Sequence, residues 1–417
     1  MRKVWVVLVL MLSAASLFAG GKGEEGEPFE RRYRDMRWEE IEAEAEGQTI
    51  YFYMWGGADY INNWVSGYLR DHLADNFGIN LEMVPVDSPQ VYINKVLGEK
   101  QAGKNRDGSV DIMWINGENF RTMRQADLLF GPYSDRLPNI VYCDPSILEY
   151  DFGFPQEGYE SPFGSAQSVM EYDSAKVSVP PADIGELFEW ARANPGKLTY
   201  AAPPDFTGSS FVRHVFYHVA GGHEALMGPF DEEVYGRIAP KVWDLLNEVK
   251  PYLWRRGETY PESSTRVQEL LGNGEVCFNL HYGSDGAANN IERGTYPDTV
   301  RTYMFEDGMI GNVNFVAIGY NSGKKAAAMV MANELLNPEV QLQASMPSPE
   351  GMFWATPLDT ARLPDDYRRS FEDLSAHPSR LPAEVLNRGA LPEVRAEWLL
   401  RIEADWQQFV LRRKSGN

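Results

Sequence analysis

At 417 residues, with 43% hydrophobic and 12% aromatic content, the chain is too apolar to stay disordered and too long for one ordinary core, so two domains are expected. Its 39 basic and 60 acidic residues leave a formal charge of −21, which argues against nucleic acid and anionic lipid as partners.

The chain opens on Arg2 and Lys3, an apolar run from Val4 to Leu12, small residues at 13–16 and then Ala19-Gly20. That order predicts a secretory signal peptide over 1–20 and a periplasmic location. The apolar run is shorter than the ~20 residues a spanning helix needs. Residues 21–46 are rich in Glu and Gly and read as a flexible leader followed by a short helix.

Thr49 to Trp55 is β-branched and aromatic, the signature of a strand, and Gly56-Gly57 stops it. Asp59 is placed to cap a helix whose apolar face is Ile61, Trp64, Val65, Tyr68, Leu69 and Leu73. A strand at 79–86, a helix at 90–102 and a strand at 110–115 follow. This β-α-β-α-β order implies a parallel sheet with both faces covered, and ligands of such sheets sit at the carboxyl ends of the strands. The loops at 55–59 and 116–119 are therefore candidates. A proline-rich stretch at 131–164 leads to a second α/β pattern: helix 184–194, strand 198–202, helix from 206 to Ala220 stopped by Gly221-Gly222, helices at 231–254 and 262–273, and strand 275–280. Strands at 299–305 and 313–319 are expected around a Gly308–Asn312 turn, then a helix at 325–336. Near the end, Val394, Trp398, Leu399, Ile402, Trp406, Phe409 and Val410 share one helical face. The only cysteines, Cys143 and Cys277, fall in segments assigned to different lobes; a bridge would lock the lobes, so both are expected as buried free thiols.

The polar run Pro203 to Ser210 follows a strand and opens a helix, where N–H groups and hydroxyls suit an anion or a carbonyl oxygen. Capping by Asp205 or Thr207 accounts for the same residues without a ligand. His214 and His218 stand one turn apart, but no nearby carboxylate completes a metal motif. Nucleophile-elbow and phosphate-loop motifs are absent. Trp55, Trp114, Phe120, Phe163, Phe206 and Tyr282 lie near the candidate loops and offer faces to a ring or a cation; Trp114, inside a strand, is expected in the core.

Six ordered blocks carry a resemblance: Gly47 to Gly57, Gly108 to Thr122, Glu160 to Gln167, Pro203 to Gly208, Pro251 to Arg255 and Glu306 to Val313, the last departing at Glu306-Asp307-Gly308. Over roughly 38–365 the chain resembles the YnjB-type periplasmic substrate-binding proteins of ABC importers. The resemblance implies a periplasmic-binding-protein-like α/β fold, with two lobes joined by a hinge and a cleft between them. The first crossing falls at 160–167, the second after Tyr282. Lobe 1 is expected at 47–160 plus about 296–340, lobe 2 at 161–295, and helices that pack on the lobes at 341–417. The cleft is expected to hold Trp55, Gly56, Gly57, Asn116, Glu118, Asn119, Ser161, Phe163, Gly164, Asp205, Phe206, Thr207 and Tyr282, with Asp59, Asn63, Gln167, Ser209 and Asn312 beside them. The expected role is solute capture by a monomer that partners a small-molecule ligand and ABC permease subunits, with no catalysis, cofactor, metal or nucleic acid. A cationic or aromatic solute such as thiamine is favoured. Ferric ion is disfavoured, because His281-Tyr282-Gly283 holds a single tyrosine. A secreted scaffold or adhesion module, or an enzyme on the same fold, is the alternative.

Overall fold

The structure, a computed structural model, describes residues 29–352, 354–374 and 377–412. The signal-peptide reading at 1–20 lies outside the described residues. Among the described residues no helix is long and apolar enough to cross a membrane.

Among the described residues eleven strands follow in chain order: β1 Thr49–Trp55, β2 Asn80–Val86, β3 Ile112–Ile115, β4 Leu129–Phe130, β5 Tyr150–Asp151, β6 Phe154–Pro155, β7 Glu160–Asp173, β8 Phe278–Tyr282, β9 Val300–Tyr303, β10 Met309–Gly319 and β11 Ala390–Leu391. β5 and β6 form a separate hairpin. The rest make one sheet of order β2-β1-β3-β10-β7-β8, with β4 and β11 on β10 and β9 on β7. β1 pairs in parallel with β2 and β3, as the alternating strand and helix pattern implies. Strand alternation then sorts the side chains. Ile50, Phe52, Met54 and Ile112 enter one buried cluster, and Tyr53, Met113 and Ile115 enter another on the opposite face.

Two long strands connect this region to the rest. β7 pairs with β10 from Glu160 to Gln167, then with β8 and β9 from Ser168 to Asp173. β10 pairs with β3 over Phe315–Ile318 and with β11 at Met309 and Ile310. Each strand therefore feeds two cores. The first gathers Tyr33 to Phe163 and Val316 to Phe371. The second gathers Met170 to Ile310 and Val394 to Val410. In the first core the Lys325–Glu334 helix is buried along its whole length, and its alanines let it lie close against the Trp38–Ala45 helix.

Several elements depart from expectation. Residues 29–46 hold two helices, Phe29–Asp35 and Trp38–Ala45, rather than a loose leader and one helix. They are fixed because Tyr33 and Ile41 are buried and the Tyr33 hydroxyl donates to Glu44 at 2.6 Å. Asp59 does not cap its helix; Ala58 occupies that position, and Asp59 lies exposed in the first turn. Residues 198–202 join no ladder. Their apolar character buries Leu198, Tyr200 and Ala201, while the backbone bonds singly to Trp254 and Pro261. Met309–Asn312, read as a turn, is strand, because β7 and β11 supply partners remote in sequence. The chain at 296–310 pairs and packs with the second core, with β9 on Met170–Asp173 and Phe305 and Met309 buried. Both cysteines are buried free thiols, Cys143 in the first core and Cys277 in the second.

Candidate ligand-binding site

A cavity of about 1150 Å³ opens beside the two crossing strands. Ser165–Gln167 of β7 and Gly311–Val313 of β10 line it, together with Ser146, Ile147, Tyr150 to Gly153, Ser284, Asp285, Trp354 to Thr356, and parts of 368–395. Ile147, Trp354 and Phe371 pack on the first core; Met227 and Leu391 pack on the second. The walls thus come from both cores, and the crossing strands run between them. A smaller cavity of about 440 Å³ adjoins, lined by Gly117, Glu118, Arg121, Phe152, Arg395 and Glu397.

Of the residues expected to bind ligand, Gln167 and Asn312 line the larger cavity and Glu118 the smaller. The Asn312 Oδ1 is buried with no hydrogen-bond partner, so an acceptor is left unspent there. Gln167 donates from Nε2 to the Met309 carbonyl at 2.6 Å. The others lie elsewhere. Trp55 is 47% exposed and meets Trp114 edge-on at 6.5 Å. The Gly56 carbonyl accepts from Asn62, and Gly57 abuts the Trp55 indole. Asn63 is exposed, Asn119 is partly exposed, and Asn116 donates to Asn314 at 3.4 Å. Ser161 and Phe163 are fully buried, Phe163 with its ring 4.8 Å from Trp354. Position 164 has room for glycine alone: a Cβ there would lie 1.9 Å from the Trp354 Nε1.

The Pro203–Ser210 run is satisfied internally. Asp205 caps the Phe206–Ala220 helix, accepting from the Thr207 and Gly208 N–H groups at 3.0 Å each and from the Ser264 N–H at 3.0 Å. Thr207 donates its hydroxyl to Asp205 and Ser209 donates to Glu403. Phe206 is 46% exposed, with its ring 4.6 Å from Tyr282, whose hydroxyl donates to Ser210 at 3.1 Å.

Sequence reasoning missed Asp151, Asp285, Trp354, Glu393, Arg380 and Arg395, all of which line the larger cavity. Their segments carry little periodicity, and the C-terminal stretch showed only the apolar stripe that docks it. The charged members are specific. Arg213 and Glu393, both buried, pair at 2.8 Å, and Arg213 also donates to Ser209 at 2.6 Å. Arg380 pairs with Asp285 at 2.9 Å. Burial pushes the Asp285 carboxyl up to about 6, against the opposing pull of Arg380. Asp151 accepts from the Gly117 N–H, yet burial pushes it up to about 8. Burial, then the Asp151 charge, also holds the neighbouring Glu160 well above the usual range. His214 is pushed down to about 3 by burial and then by Arg213, which keeps it neutral; its Nε2 lies 3.2 Å from Ser168 Oγ and accepts from the Ile310 N–H at 3.4 Å.

Two cores threaded by a shared pair of crossing strands, with a cavity walled by both, define a two-lobed binding protein of the periplasmic type. Residues 68–369 match the bacterial extracellular solute-binding proteins, and the chain belongs to that family. It is 37% identical over 375 residues to protein YnjB of Escherichia coli (strain K12), covering 88% of this chain and 92% of that one. Among solved structures it is similar in fold to the spermidine/putrescine ABC transporter substrate-binding protein PotD of Streptococcus pneumoniae, at a TM-score of 0.64 and 15% identity over 88% of this chain and 100% of that one. A periplasmic thiamin binding protein gives 0.56 and 17% over 87% and 96% of the two chains. The apo ferric ion-binding protein A of Pasteurella haemolytica gives 0.59 and 13% over 88% and 99%.

Proposed function

We propose that this chain captures a small solute in the 1150 Å³ cavity and hands it to the permease subunits of an ABC importer. The observation that carries this reading is the composition of the cavity wall. Strands β7 and β10 cross between the cores, and residues of both cores complete the lining. A solute held there touches both lobes, so binding is coupled to their relative position, and a permease can sense the closed form. Lobe 1 is taken as 47–160 with the return through β10, lobe 2 as 161 to about 308, and 341–417 as a segment serving both.

An aromatic or cationic solute, thiamine among the candidates, is the cargo that the aromatic residues of the cavity wall, Tyr150, Phe152 and Trp354, support. The proteins of similar fold are named for polyamines, thiamin and ferric ion, so fold alone selects no cargo. Thermal unfolding and small-angle scattering with candidate solutes test the reading. A bound solute raises the melting temperature and lowers the radius of gyration together. A solute that raises the melting temperature without compaction contradicts capture between lobes.

A further inference from the structure

We propose that Arg395 is the cavity's recognition group for an oxyanion, so that the captured solute carries a carboxylate, phosphate or sulfonate. This rests on the reading of the cavity as the solute site. It departs from the cationic preference drawn from the aromatic residues of the wall.

The charges in the wall decide it. Asp285 is tied to Arg380, and Glu393 to Arg213 behind the wall. Arg368 pairs with Asp365 on its own helix, and Glu372 faces solvent. Asp151, with its carboxyl raised to about 8, is neutral at neutral pH. Arg395 is left over. It lines both cavities and forms no ion pair among the described residues; of the two carboxylates that share the smaller cavity with it, Glu397 feels its charge but is paired with Arg121, and Glu118 forms no ion pair. Its Nε is buried without a hydrogen-bond partner.

The surroundings sharpen the imbalance. Arg395 occupies the cap position of the Ala396–Trp406 helix, whose N-terminus no side chain caps. A helix N-terminus carries partial positive charge, which disfavours a cation and favours an anion. Arg395 cannot swing away toward the hairpin, because its stem packs on Gly153: a Cβ there would lie 2.9 Å from its Cγ. Arg380, 93% buried at its side chain, lines the larger cavity too and keeps an unpartnered Nη2 beyond its bond to Asp285. Arg395 is partly buried, with its Nε enclosed and unpartnered, and a solute oxyanion would satisfy that donor and its charge together through charge-assisted hydrogen bonds.

The test uses the full mature chain, as wild type, Arg395→Gln and Arg395→Lys. Thermal unfolding is followed with acetate, glutarate, inorganic phosphate, sulfate and methanesulfonate, and with thiamine, each against sodium chloride of equal ionic strength. The inference expects at least one oxyanion to raise the wild-type melting temperature above the chloride control, and the oxyanion that does so distinguishes carboxylate from phosphate from sulfonate. Arg395→Gln is expected to weaken that binding by about tenfold or more, while its ligand-free melting temperature stays level or rises. Arg395→Lys retains part of the binding. The inference is overturned if no oxyanion shifts wild type, or if Arg395→Gln responds as wild type does. Thiamine acting alone overturns it too but leaves solute capture standing, which separates the two failures.

Discussion

Replacing Arg213 with leucine tests how the C-terminal segment is anchored. Arg213 lies on the Phe206–Ala220 helix and has no exposed surface. Glu393, 180 residues away, is 8% exposed and pairs with it at 2.8 and 2.9 Å. In Arg213→Leu the Glu393 carboxylate keeps one bond, from the Val394 N–H at 2.9 Å, and loses its counter-charge. Breaking a buried pair from one side costs roughly 3–5 kcal/mol. For a unit of 150–250 residues that is a fall of ~6–20 °C in melting temperature. Arg213→Leu/Glu393→Leu removes both charges and is expected to recover most of the loss, since a buried pair can be exchanged for apolar residues at little net cost. Urea unfolding followed by tryptophan fluorescence, with calorimetry alongside, measures both. A single substitution costing under about 1 kcal/mol, or a double no better than the single, would refute the reasoning.

Gly164→Ala forces a methyl into the Trp354 indole, which its bond to the Phe163 carbonyl at 2.9 Å and Trp114 at 5.5 Å hold in place. A loss of about 1–3 kcal/mol is expected in urea unfolding, and a neutral result would contradict the packing. The Asp151 carboxyl has an ordinary value of 3.8 and a folded value of about 8. The folded chain therefore keeps a proton that the unfolded chain has lost, so this contribution to stability is full below about 4 and falls as pH rises to about 8. Asp151→Asn keeps the acceptor for Gly117 and is expected to flatten that slope, which melting temperatures from pH 5 to 9 would show. Burial raises both thiols, Cys143 to about 12, so a thiol reagent is expected to find neither in the native chain and two after unfolding. Fewer than two on unfolding would mean a disulfide.

What could be read in advance follows from whether the signal is local. Thr49–Trp55 announces a strand by composition, and the Phe206–Ala220 helix carries both of its end signals, Asp205 at the start and Gly221 at φ 78° at the close. Leu198–Ala202 has the same apolar character but lacks a partner strand, and only the tertiary fold could reveal that. Met309–Asn312 looked like a turn because it is glycine-bracketed, and it became strand through partners at 166–167 and 390–391. The candidate site was legible only where it touches the crossing strands, at Gln167 and Asn312, with Glu118 in the adjoining cavity. Trp354, Asp285, Arg380 and Arg395 reach the wall through long-range packing of segments without period or motif. An arginine in such a stretch reads as a surface residue until the fold sets it in a cavity wall without an ion-pair partner among the described residues.

Native mass spectrometry of the freshly purified protein tests solute capture most directly. The expected result is a complex of one chain with one small molecule, released when the protein is unfolded and carrying an anionic oxygen group. A chain that flies bare, and stays bare after incubation with an extract of small metabolites, would contradict solute capture.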